Sequence, residues 1–484
     1  MKINFKKALN KDDRLVLVPV FSNLKNTNSE LRSWLEKRII NQEFNSKVGE
    51  HITYFSDDTR YLFWCFGELK EKSSKKIRNQ FALAIKHLRQ NTISELTVML
   101  NSEFLEFSQT IGEVFALANY SIALFKTGKD KSENEDKIIK KIAVASKDIT
   151  RVQKYDLEEG LKIGLAVNQV RDLVNSPHNY INVDTFAQKA EQVCSENKVK
   201  IKILDRKQLE KLKMGALLGV NQGSQHGAKL VLMEYLPLGG RQEPVVLVGK
   251  GVSFDPGGVN IKPSQGITEM HMDMAGGAAV LGVFMLLKEL EIKQNVVGVI
   301  PLTDNSVDAT AQKPSDIVTS FSGKTIEIGN TDAEGRLILA DAISYAIKEY
   351  KPSSIIDVAT LTGACIVALG DQMAGMFGNN AKMKERLRNA ALETDEEVWE
   401  LPIHDTHRRN IKSKFADLNN VDVSGSGGGA STGAAFIENF VDGHDWIHLD
   451  IAGPAMPKKH KDIDFAGGTG YGVRLLVEFL RSIK

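Results

Sequence analysis

Only three cysteines occur in the 484 residues, Cys65, Cys194 and Cys365. They are too scattered for a disulfide framework or a thiolate zinc knot. Apolar runs are short: the longest, Ala275–Leu287 and Val358–Gly370, are interrupted by glycine and end at 13 residues, below the roughly 18 that a membrane span requires. The opening stretch MKINFKKALNKDDR has no apolar core of a secretory signal, so a cytoplasmic protein is expected. No charge of one sign dominates, with 62 Lys+Arg against 61 Asp+Glu, which argues against a dedicated nucleic-acid binder. Catalytic signatures of several classes are missing too. There is no HExxH, and no GxSxG elbow for a serine hydrolase. The SGKT of Ser322–Thr325 resembles the end of a P-loop, but the glycine required five residues before Gly323 falls on Val318. The GKG at Gly249–Gly251 lacks the third glycine of a dinucleotide fingerprint. Of the ten dispersed histidines, His271 is the one that falls inside a motif, and it has no evident orienting partner.

What remains is an ordinary globular composition, 42% hydrophobic and 25% charged, which excludes disordered, collagenous and coiled-coil chains. The charge is unevenly spread. Residues 1–150 hold 25 Lys+Arg against 19 Asp+Glu, a net +6, and the remainder 37 against 42, a net −5. The basic run Lys126–Lys141 mixes both signs and reads as a solvated loop, which leaves a weak nucleic-acid face as the other reading. Two domains are expected. Residues 1–156 alternate short apolar runs (Leu15–Val20, Leu96–Leu100) with amphipathic stretches such as Ile77–Leu88, the pattern of a small α/β domain. Residues 157–174 read as a linker helix ending in the turn-forming NSPHN. It leads into a larger α/β domain over 157–484. There, continuous β-branched runs (Val245–Val248, Val296–Leu302, Ile355–Ala359) alternate with helices, as in a mainly parallel sheet covered on both faces.

Loops beyond the carboxyl ends of such strands gather chemistry, and here they are rich in acid and lysine. VGKGVSFDPGGVNIKP (248–263) carries Lys250, Asp255 and Lys262. MHMDMA (270–275) sets Asp273 at the head of a small-residue helix. NTDAEGRL (330–337) carries Asp332, Glu334 and Arg336 before a helix over Leu337–Tyr350. In an extended loop Asp332 and Glu334, at i and i+2, project the same way. Taken singly, Lys250 reads as a salt-bridged cation and Asp273 as an N-cap. Taken together, four converging carboxylates repel one another and raise one another's pKa values. Two divalent cations would offset that charge, and such a pair clamps both oxygens in a hydrolysis. Oxygen-rich ligation suits Mn²⁺ or Mg²⁺, and one amine nitrogen also admits Zn²⁺. Arg336 opposes the helix dipole but makes an anion site with the free backbone N–H groups beside it.

These segments resemble the leucyl aminopeptidase family, the two-metal cytosol aminopeptidases. The octapeptide NTDAEGRL carries the likeness, and it extends through SGKTIEIG (322–329), DVATLTGA (357–364), HLDIAG (448–453) and GYGVRLL (470–476). The resemblance covers the chain from about residue 160 onward. It implies that Lys250, Asp255, Asp273 and Glu334 hold a tighter metal, and that Asp255, Asp332 and Glu334 hold an exchangeable one. A water or hydroxide between them would be the nucleophile. It further implies that Lys262 stabilises the gem-diolate, that Arg336 holds a bicarbonate base, and that Met270, Thr360 and Ala452 line a pocket favouring Leu or Met. The expected activity is removal of N-terminal residues from cytosolic peptides by a homohexamer using Mn²⁺ or Zn²⁺. A dipeptidase selective for Cys-Gly and a DNA-binding hexamer are the alternatives. The chain departs from the family pattern at Pro256, where Ser or Thr is usual, at Ser315 for glycine, and at Asp304-Asn305 for Glu-Asn.

Overall fold

The computed structural model describes all residues except 23–28, 41–42, 57, 91–92, 241, 459–462, 464–466 and 484, with the backbone alone for 29–31 and 40. The chain divides into two compact units at Asn168/Gln169, inside the helix Arg151–Asn175, which begins six residues before the expected linker. Among the described residues, the first unit builds a six-stranded sheet in the order Ile3–Lys6, Lys141–Ala145, Glu95–Met99, Leu15–Val20, Thr59–Cys65, His51–Ser56. All its pairings are parallel except the last.

The second unit is organised by a larger sheet. Four parallel neighbours form its centre: Trp446–Asp450, Ser354–Ala359, Val245–Gly249 and Val296–Thr303. Every residue of these four strands is buried, which is why they read as continuous apolar runs rather than alternating ones. Antiparallel strands flank them, Lys229–Tyr235 with Lys200–Leu204 on one side and Ala374–Gly378 on the other. The helices Gly215–Val220, Gly335–Tyr350 and Gly429–Glu438 share one core with Val246, Val248, Val297 and Val299 of the sheet. The wholly buried helix Ala275–Leu286 packs on the strands as well, together with the helices Val183–Asn197 and Val473–Ser482.

Close backbone approach fixes the position of Ala275–Leu286. A Cβ on Gly276 would stand 2.0 Å from the Val358 carbonyl oxygen, and one on Gly249 would stand 2.5 Å from the Gly276 oxygen. Only glycine permits this spacing. The Gly277 N–H then donates to the Lys250 carbonyl at 2.8 Å, so the helix start is locked to the strand end. The Ser320–Gly323 segment closes as a turn, Gly323 N–H to Ser320 oxygen at 2.9 Å with φ +89° at Gly323, and feeds the strand Thr325–Glu327. No helix among the described residues is long and apolar enough to cross a membrane.

Candidate metal centre

Lys250 leaves the carboxyl end of Val245–Gly249 and is 2% exposed. Its Nζ lies 2.8 Å from Asp273 Oδ2 and 2.7 Å from Glu334 Oε1, and donates to the Thr360 carbonyl oxygen at 2.8 Å. Asp273 sits in the 3₁₀ turn Met270–Met274 immediately before Ala275–Leu286. The N-cap, the reading of Asp273 taken alone, is not what it does: Met274 occupies that position without a side-chain cap, and the Asp273 carboxylate turns to Lys250 and to Thr360 Oγ1, which donates to Oδ1 at 2.6 Å. Glu334 precedes the helix Gly335–Tyr350. The glycine of the octapeptide has a plain steric reason. A Cβ on Gly335 would stand 2.7 Å from Lys250 Cε, so the lysine crosses the helix start only because that side chain is absent.

Asp255 comes from the loop after Gly251–Val252. Its Oδ1 accepts from the Gly257 N–H at 3.0 Å and from Asn305 Nδ2 at 2.9 Å, and its Oδ2 from Lys262 Nζ at 2.6 Å. Lys262 also bonds Asp332. The loop around Pro256 needs no donor at that position, since Pro256 contributes its carbonyl to the Lys262 N–H at 2.8 Å. Asp255, Asp273 and Glu334 are all buried and offer oxygens within 4.8 Å of one another. Asp332 is about one-third exposed and joins through Lys262. The expectation that Asp332 and Glu334 project alike from an extended loop is not met. Ala333 N–H closes a turn onto the Asn330 oxygen at 3.2 Å and Glu334 is already helical at φ −79°, ψ −35°. The two acids meet different lysines, Asp332 bonding Lys262 and Glu334 bonding Lys250.

Electrostatics follow from this burial. Four carboxylates face two ammonium groups, a formal excess of two negative charges. Burial, with the neighbouring Glu334 and Asp255 adding, raises the Asp273 carboxyl well above its ordinary range. Burial and Asp255 raise Glu334 and Asp332. Burial works against both lysine cations, but the pull of Asp273, Glu334 and Asp255 on Lys250, and of Asp255 and Glu334 on Lys262, outweighs it and holds both ammoniums above their usual value. Glu334 Oε2 is buried with no hydrogen-bond partner among the described residues. An unpaired buried carboxylate oxygen inside an acid-rich cluster is costly, and a cation would satisfy it. The donor set fits hard or borderline divalent ions.

Arg336 is buried, and burial lowers its guanidinium to about 10. Its Nη1 donates to the Asn420 carbonyl at 2.8 Å, while Nε has no hydrogen-bond partner among the described residues. Of the three pocket candidates, Met270 is half-buried with its carbonyl accepting from the Asp255 N–H at 3.3 Å, and Thr360 touches both Lys250 and Asp273. Ala452 donates its N–H to Asp450 at 3.2 Å, and Asp450 also accepts from Thr362 Oγ1 at 2.7 Å. His271 takes no part in the cluster.

Sequence reasoning missed several residues that brace this centre. Asn305 ties Asp255 to the octapeptide, donating also to the Thr331 carbonyl at 3.0 Å. Asn420 accepts from the Gly329 N–H at 2.7 Å and donates to the Asn330 carbonyl at 2.7 Å. Asp357 accepts from Trp446 Nε1 at 2.7 Å and pairs with His448 at 2.6 Å, locking the strands that end at Ala359 and Asp450. The motifs DVATLTGA and HLDIAG contain this pair, so their text held the signal without its geometry.

With the geometry in view, similarity to known proteins is specific. Residues 168–477 match the cytosol aminopeptidase family, catalytic domain. A "Probable cytosol aminopeptidase" of Chlorobium phaeobacteroides is 45% identical over 381 residues, covering 78% of this chain and 75% of that one. One of the same name from Nitrosococcus oceani is 38% identical over 458 residues, covering 92% and 89%. Among solved structures, the bottromycin maturation enzyme BotP in complex with Mn superposes with a TM-score of 0.86 at 27% identity, over 97% of this chain and 99% of that one. Taken with the buried carboxylate cluster, these matches identify the protein: the chain belongs to the cytosol aminopeptidase family and is a hydrolase of the metallo-aminopeptidase class.

Proposed function

We propose that the protein releases N-terminal residues, Leu and Met among those favoured, from peptides, using two divalent cations, Mn²⁺ or Zn²⁺, held by the second unit (within 157–484). The observation that carries the reading is the buried trio Asp255, Asp273 and Glu334 with its uncompensated charge. Lys250, Asp255, Asp273 and Glu334 hold the tighter cation. Asp255, Asp332 and Glu334 hold the exchangeable one. When bound, the cations supply Lewis acidity toward water and the scissile carbonyl, and bicarbonate supplies a proton acceptor. Lys250 Nζ must lose a proton before it can ligate. With cations taking up the Asp255 and Asp332 carboxylates, Lys262 would be released from them and its N–H groups would serve the carbonyl oxygen of the substrate. Arg336 holds bicarbonate through the unpartnered Nε. Met270, Thr360 and Ala452 receive the first side chain, Thr360 presenting its methyl because its hydroxyl is engaged by Asp273. A cytoplasmic homohexamer acting on peptides rather than nucleic acid completes the reading, and sedimentation checks the assembly.

The test pairs two variants. Glu334→Ala should abolish turnover of Leu-p-nitroanilide and the binding of both centre cations, read by elemental analysis. Lys262→Ala should keep both cations and lose roughly 10²–10³-fold in kcat, the size of one oxyanion donor. A fully active Glu334→Ala enzyme ends the two-cation account, and a preference for Cys-Gly over the leucyl substrate selects the dipeptidase.

A further inference from the structure

Outside this centre, three side chains from three separate loops meet. His178 lies in the turn after the helix Arg151–Asn175, His226 in the loop before the strand Lys229–Tyr235, and Asp304 directly after Val296–Thr303. Their ligand atoms lie within 4.8 Å of one another. Asp304 is 1% exposed, yet among the described residues its carboxylate has one hydrogen bond, from Ser306 Oγ to Oδ1 at 2.9 Å. Among the described residues, His178 Nε2 lies 3.8 Å from Oδ2, beyond hydrogen-bond reach. His178 Nδ1 is itself buried with no hydrogen-bond partner among the described residues. A buried carboxylate and an idle imidazole facing each other call for a third party.

His226 is prepared for that role. Its Nδ1–H donates to Asp184 Oδ2 at 2.9 Å, which fixes the tautomer and leaves the Nε2 lone pair directed away, with the Gln225 amide 3.3 Å from it. An imidazole oriented by a carboxylate on its far nitrogen is the usual outer support of a metal-ligating histidine. Asp184 is anchored in turn by Lys229 Nζ at 2.9 Å. Asn221, wholly buried, bridges the His226 carbonyl at 2.8 Å and Thr303 Oγ1 at 3.1 Å, so the loops carrying His226 and Asp304 are held to a common frame. We propose that His178, His226 and Asp304 form a cation site separate from the carboxylate centre. It takes a borderline transition ion of the Zn²⁺ class, with the remaining positions open to water. Two imidazoles and one carboxylate select Zn²⁺ over Mn²⁺ or Mg²⁺. Tetrahedral Zn²⁺ with bonds of about 2.0 Å spaces its ligands about 3.3 Å apart, which imidazole rotation reaches from the present separations. The ion would clamp the residue next to Asn305, the amide that braces Asp255.

Zn²⁺ uptake by chelator-stripped protein, measured by equilibrium dialysis with elemental analysis, tests the site independently of activity. The Glu334→Ala protein should retain one Zn²⁺ per chain, and adding His178→Ala and His226→Ala should remove it. Co²⁺ in the Glu334→Ala background should give visible d–d absorption that the added histidine changes abolish. Asp184→Ala leaves all three ligands in place and should weaken Zn²⁺ by about 10–100-fold. The site is overturned by a Glu334→Ala protein that binds no Zn²⁺, or by equal uptake with and without the histidines. If the histidine variant fails to fold, an Asp184→Ala affinity equal to the parent's overturns it instead. A Glu334→Ala chain that binds three Zn²⁺, one of them lost with the histidine changes, refutes the role given to Glu334 and leaves this site standing.

Discussion

A methyl group on Gly335 would stand 2.7 Å from Lys250 Cε and 2.8 Å from Nζ. Those atoms end a flexible side chain, so Gly335→Ala is relieved by moving the lysine rather than the backbone. The expected result is a modest stability loss, about 1 kcal/mol from overpacking, alongside a much larger loss of cation affinity. Thermal melting beside elemental analysis separates the two; a variant that keeps wild-type affinity would show that Lys250 placement is immaterial. The charged residues of the centre were legible from sequence because acids and lysines crowded at strand ends have few structural uses. Asn305, Asn420 and the His178–His226–Asp304 group were not. A single asparagine or histidine carries no pattern, and their partners lie 26 to 126 positions away in the chain.

At the scale of elements, the wholly buried parallel strands could be read from unbroken β-branched runs. The antiparallel strand Ala374–Gly378, with a glycine at each end of GMFG, has no such run and is not legible in the sequence. The helix Gly335–Tyr350 was read two residues short because its first turn is glycine and arginine. That helix also pins its neighbours through Asp341, which is fully buried. Its Oδ2 accepts from the Leu217 N–H at 2.9 Å and its Oδ1 from the Phe321 N–H at 2.7 Å. Burial outweighs these bonds and raises the carboxyl from 3.8 to about 7. Between those values the folded chain holds a proton that the unfolded chain releases. The associated stability is therefore complete below about pH 4 and is lost as pH rises toward 7, at up to about 1.4 kcal/mol per pH unit. Asp341→Asn should be less stable overall and lack this component. Denaturant melts at pH 5, 6 and 7 check it, and a parent-to-variant difference that does not vary with pH refutes the assignment.

For the whole molecule, the excess negative charge of the centre is a standing cost that bound cations remove. At a concentration near 100 times Kd, one cation adds about 2.7 kcal/mol to the folded state. After chelation, Mn²⁺ filling both positions should therefore raise the melting midpoint by roughly 5 °C for a chain of this size. The Glu334→Ala midpoint should stay where it is; an equal rise in both proteins would place the Mn²⁺ effect elsewhere. The two lysines have a wider consequence. Lys250 and Lys262 already pair with the acids, so a freshly made chain would complete its architecture in a cell starved of metal and be charged afterwards. Scarcity would then leave a dormant reserve awaiting supply, rather than debris for the proteases.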